Sequence, residues 1–133
     1  MEKIILKSIK TIVICLLLAG AQADESSWTS QRGLFVVSYE SELVPLQINK
    51  LHAWVLHIEN ANGKPVVGAH IEASGGMPAH DHGLPTYPQV TEDLGSGDYR
   101  LDGMRFHMTG AWEITITIAA DGKTDTVVVT VTL

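Results

Sequence analysis

The C-terminal end of the chain constrains the fold most. From Trp112 to Ala119, apolar Trp112, Ile114, Ile116 and Ile118 alternate with Glu113, Thr115 and Thr117. Successive side chains of a strand point to opposite faces, so this pattern predicts a strand with one buried face. Asp121-Gly122 follows, a pair suited to a tight hairpin turn. Lys123 to Leu133 then returns, with Val127, Val129 and Val131 on one face and Thr126, Val128, Thr130 and Thr132 on the other.

Upstream, the same grammar repeats in shorter pieces. Leu34 to Tyr39 is β-branched and aromatic, a first strand, and Glu40 to Asn49, with Pro45, is a connection. Leu51 to Glu59 alternates, with Trp54, Leu56 and Ile58 toward the core. Asn60 to Pro65 is a turn cluster, and Val66 to Ser74 is a strand that Gly75-Gly76 should end. Gly83 to Pro88 reads as an ordered loop. Gln89 to Leu94 and Tyr99 to Leu101 are short strands around a Gly95-Ser96-Gly97-Asp98 turn. About seven strands, turn signals between them and no helical period predict an immunoglobulin-like antiparallel β-sandwich, with a small barrel as its competitor.

The N-terminus sets the compartment. Lys3, Lys7 and Lys10 precede the apolar run Thr11 to Ala19, and Ala21-Gln22-Ala23 is a small-x-small cleavage site. This is the layout of a secretory signal peptide over residues 1–23, which predicts a periplasmic or secreted protein. Residues 24–32 read as a flexible leader and 33–133 as the sandwich domain. The single cysteine, Cys15, falls inside the signal peptide, so the exported part has no thiol and must hold together by packing. The chain carries net charge −6, and removing residues 1–23 takes away three lysines and one glutamate, leaving it more acidic still. Such a surface argues against nucleic acid and anionic lipid as partners.

Chemistry concentrates between Gly75 and Trp112. Of the 4 methionines, Met1 is the initiator and the others, Met77, Met104 and Met108, all lie in this stretch. Of the 6 histidines, His80, His82 and His107 lie there too. Thioether sulfur with imidazole nitrogen suits copper, Cu(I) above all, better than it suits magnesium, calcium or zinc. His80-Asp81-His82 offers two imidazoles that converge if the segment is extended, and Met77 can fold back across Pro78. Met77, His80, His82 and Met108 form the ligand set that follows. Alternation puts Met104, Phe106 and Met108 on one side and His107 on the other, so Met104 reads as core or rim and His107 as surface. Both complete the candidate list. Asp81 reads as a group that orients an imidazole. His52, His57 and His70 read as ordinary strand histidines.

In order, Met77-Pro78-Ala79-His80-Asp81-His82-Gly83, Gly97-Asp98-Tyr99-Arg100 and Gly103 to Glu113 with its Phe106-His107-Met108-Thr109-Gly110-Ala111-Trp112 core resemble the YtkA-like domain family. That family is related to the extracytoplasmic part of FixH proteins. The resemblance spans roughly Val55 to Leu133. It implies an immunoglobulin-like sandwich outside the cytoplasmic membrane and copper handling near haem–copper oxidase assembly, with a membrane oxidase or copper transporter as partner. By position it implies Met77, His80 and His82 as loop ligands and Met108 as the methionine of the second motif. FixH keeps a membrane helix where this chain has a cleavable leader, and His107 is an addition to the family pattern.

No nucleophile–base pairing, paired acids or phosphate loop points to an enzyme. The expectation is therefore an exported copper-binding protein, a metallochaperone or buffer. Its rival is an immunoglobulin-like interaction module of a membrane complex, without metal.

Overall fold

The computed structural model describes residues 26–133. The expected signal peptide and the first residues of the expected leader, Asp24 and Glu25, lie outside the described residues. Nine strands follow in order: β1 (Ser27–Thr29), β2 (Phe35–Ser41), β3 (His52–Asn60), β4 (His70–Met77), β5 (His82–Gly83), β6 (Gln89–Gly95), β7 (Asp98–Met104), β8 (Ala111–Ala120) and β9 (Lys123–Thr132).

All pairings are antiparallel, in the order β1-β2-β3-β7-β6-β4-β8-β9, with β5 added to β4. Between β6 and β4 the ladder narrows to one pair, Glu72 with Gln89. That seam divides the path into two layers, β1-β2-β3-β7-β6 and β4-β8-β9, as in a sandwich. On the far side the amide of Gln31 donates to the Thr126 carbonyl at 2.9 Å, drawing the β1 edge toward β9.

The inner faces carry the residues that alternation selected. Trp54, Leu56, Ile58, Tyr99 and Leu101 of one layer meet Trp112, Ile114, Ile116, Ile118, Val127 and Val129 of the other, all at 0–1 % exposure. Cross-strand partners reinforce the face: Trp112 opposite Val131, Ile114 opposite Val129, Ile116 opposite Val127. The β8–β9 turn takes the positive φ values that Asp121-Gly122 suits, 51° and 71°.

Two boundaries differ from expectation. The expected leader contains β1, whose Trp28 stacks on Tyr39 at 5.7 Å, and Ser30 is buried. β4 starts later than Val66 and runs through Gly75-Gly76 to Met77, because β8 pairs along that length, as far as Gly76 with Glu113.

The connections 42–51, 78–88 and 105–110 all emerge at one end of the sandwich, since Ser41 pairs with Trp54, His52 with Met104 and Gly76 with Glu113. Leu133 closes the same end through reciprocal backbone bonds with Gly110. β1 runs antiparallel to β2, so the chain reaches Ser27 from this end as well.

Candidate metal centre

The candidate residues collect at that end. β4 and β5 form a small hairpin in which Met77 stands directly opposite His82 and Gly76 opposite Gly83. Opposed residues of an antiparallel pair share a face, so this register brings the Met77 side chain and the His82 ring together. The turn between them is held by the amides of His80 and Asp81, which donate to the Met77 carbonyl at 3.0 and 3.1 Å. Asp81 adopts φ 51° there. The glycines that were expected to end the strand instead let β5 fold close. A Cβ at position 75 would lie 2.6 Å from Ile114 Cδ1, and one at 76 would lie 3.0 Å from the His82 carbonyl oxygen.

The second segment behaves differently from its alternation. β7 ends at Met104, and the chain from Arg105 to Gly110 is irregular. Met104 and Phe106 are completely buried, whereas Met108 is 36 % exposed. The expected common face for Met104, Phe106 and Met108, with His107 opposed, is therefore corrected: a strand period does not continue beyond the strand. His107 turns toward the other loop, and its ring centroid lies 4.8 Å from that of His82. His80, which is exposed and lies in the turn, stacks on His82 at 5.8 Å and 21°.

The three imidazoles thus form a row with His82 in the middle. Two imidazoles sharing an ion at ~2.0 Å metal–nitrogen distance have ring centroids roughly 5–6 Å apart. Both neighbouring pairs fall near that spacing. The Nδ1 atoms of His82 and of His107 are buried and have no hydrogen-bond partner. A buried polar atom without a partner is costly and rare in a native fold, and an ion is one of the things that satisfies it. His52 Nε2 and Arg105 Nε, also buried without partners, flank the same loop. Among the described residues no three His, Cys, Asp or Glu side chains gather as a ready metal cluster. The other donors around His82 are the Met77 thioether and the carboxylates of Asp81 and Glu113.

Met77 is buried, 2 % exposed, with its methyl group against Gly110 of the second segment. Both Met77 and Met104 belong to the hydrophobic core. Met77, Pro78, Asp81, His82, Glu113 and Thr115 border a shallow depression of about 350 Å³. Asp81 lies on its rim.

One residue that sequence reasoning assigned only to the core also belongs to the site. Trp112 is fully buried, and its ring centroid lies 6.0 Å from His82 and 5.4 Å from His107. Its indole N–H donates to the Met108 carbonyl at 3.1 Å. The spacing of Met108 and Trp112 carries no sign of this contact, which depends on the loop's irregular path.

A second titratable cluster lies away from this end. His57 sits between two carboxylates, with Nδ1 2.5 Å from Asp98 and Nε2 3.3 Å from Glu59. Its pKa is raised, chiefly by the Asp98 hydrogen bond and further by Glu59, against the opposing effect of burial.

A search of curated proteins and a search of solved structures return no match. The family model described as YtkA-like matches residues 35–117, from the start of β2 to within β8, including both segments that carry candidate ligands. The chain belongs to the YtkA-like family.

Proposed function

We propose that this protein is an exported copper-binding protein, a metallochaperone or buffer that favours Cu(I). The observation that carries the reading is the adjacent rings of His82 and His107, each with a buried Nδ1 that has no partner. Soft thioether donors from Met77 and Met108, with His80 at the solvent side, complement that pair and suit a monovalent copper ion. Met77 and Met104 both pack in the core, but Met77 stands opposite His82 and stays in the proposed ligand set, whereas Met104 stands opposite His52 and is left out. A site formed at loop tips, with His80 exposed, allows an incoming protein to replace ligands one at a time, as transfer requires. The protein binds its ion rather than transforming it. A membrane oxidase or copper transporter is the partner class in this reading.

Equilibrium dialysis against Cu(I) under reducing conditions tests it. Stoichiometric binding by the wild type, abolished in a His82→Ala/His107→Ala variant that remains folded, is the expected result. No stoichiometric binding by the wild type overturns it.

A second reading, an interaction module without metal, draws on the exposed apolar residues of the same end. Val44, Ile48 and Leu51 are 81 %, 43 % and 69 % exposed, in the 42–51 connection at the same end as the Met108 loop. Capture of a membrane partner by metal-free protein, undiminished by His82→Ala/His107→Ala, would favour it.

A further inference from the structure

We propose that Trp112 is the positioning residue of the copper site and sets its preference for the lower oxidation state. The inference rests on the copper reading above and adds to it a residue outside the donor set. Four observations meet in one side chain. The indole is wholly buried, so its orientation is fixed by the core around it. Phe106 packs edge-on against it at 5.3 Å. Its ring lies beside both imidazoles whose Nδ1 atoms lack partners, at interplanar angles of 61° and 73°. Its N–H holds the carbonyl of Met108, the exposed thioether of the second segment.

Trp112 thereby adds a further link between the two segments, which also meet where His82 lies beside His107 and the Met77 methyl beside Gly110. The hydrogen bond fixes the backbone that carries Met108, and the ring forms an apolar wall for His82 and His107. An apolar wall penalises charge, and the penalty grows steeply with the charge on the ion. It therefore weighs more on Cu(II) than on Cu(I). Water that fills the space of a smaller side chain restores hard oxygen donors and removes that bias.

The test has two arms. In the first, uniformly ¹⁵N-labelled wild-type protein is titrated with Ag(I), a closed-shell stand-in for Cu(I), and the indole N–H signals of Trp28, Trp54 and Trp112 are followed. The Trp112 signal should shift in step with the backbone amides of His82 and His107, while Trp28 and Trp54 stay in place. If the amides of His82 and His107 respond and Trp112 does not, this inference is overturned and the copper site stands. If none responds, the copper reading fails and this inference fails with it.

The second arm compares wild type with Trp112→Phe by competition against a Cu(I) chelator and, separately, a Cu(II) chelator. Loss of the N–H and part of the wall should weaken Cu(I) about tenfold and Cu(II) by less than about threefold. Equal weakening of both ions marks a purely structural role and overturns the proposal. The wild-type arm does not depend on how well the Trp112→Phe variant folds.

Discussion

The methyl group of Met77 occupies the space that a side chain at position 110 would need. A Cβ on Gly110 would lie 2.9 Å from Met77 Cε, and Gly110 itself adopts φ 125°. A side chain at position 110 would have to displace the flexible end of Met77 and adopt a strained positive φ, so glycine eases the approach of the loop that carries Met108 to the hairpin that carries Met77. Gly110→Ala should destabilise the fold by about 1–3 kcal/mol, chiefly through backbone strain at its positive φ. The ¹³C-methyl resonance of Met77 should move at the same time. An unchanged Met77 signal would show that the two loops do not touch.

The methionines should separate by location. Met77→Leu and Met108→Leu should each weaken Cu(I) more than Cu(II), because sulfur prefers the softer ion. Met104→Leu keeps the volume of a core residue and should cost less than about 1.5 kcal/mol of stability. It should leave copper affinity unchanged. Chelator competition on the three variants, with thermal melts alongside, checks the ordering.

His57 should make stability depend on pH in one direction. Its folded pKa lies above the unfolded value, so the stabilisation from its contacts with Asp98 and Glu59 is fully present below about pH 6.5. It is lost as pH rises through the folded pKa. The cluster is partly exposed and therefore screened by salt. Thermal melts from mildly acidic to mildly alkaline pH should show wild-type stability falling relative to His57→Gln. A constant difference between the two proteins would remove His57 as the titrating group.

Asp125 should anchor the N-terminal strand. Burial pushes its carboxyl upward, but hydrogen bonds from the Ser30 hydroxyl and from the amides of Thr126, Arg32 and Leu34 outweigh that and hold its pKa below the usual value. The stabilisation is present above the unfolded pKa and is lost as pH falls through the folded one. Asp125→Ala should speed hydrogen exchange at Arg32 and Leu34, and at the β1–β2 amides, before the β8–β9 hairpin responds. Uniform acceleration across the whole protein would contradict a local anchoring role.

Sequence alone revealed most of the sandwich because three long strands bury one face and leave the other wet. Trp54-Leu56-Ile58, Trp112 to Ile118 and Val127 to Val131 keep a strict two-residue period for that reason. β1 escaped notice because Ser27-Trp28-Thr29 is too short to show a period and gains its place from Tyr39 and β2. β4 was cut short because glycine usually weakens a strand, whereas here its lack of a side chain admits β5. The candidate site was partly legible. The concentration of Met and His between positions 77 and 108 matches the end of the molecule where the His82, His107 and Met77 side chains gather. The pairing of His82 with His107 stayed hidden because alternation was carried past the end of β7 at Met104.

The path of the chain at its two described ends has a practical corollary. Ser26 and Leu133 both lie at the end of the sandwich that carries the imidazole row rather than at the opposite pole. A tag, tether or neighbouring module fused at either place would hover over the loop tips and raise the local concentration of its own donor groups there. Fluorophores and affinity handles intended to leave those loops unobstructed belong in the turn at Asn62-Gly63, on the far side of the molecule.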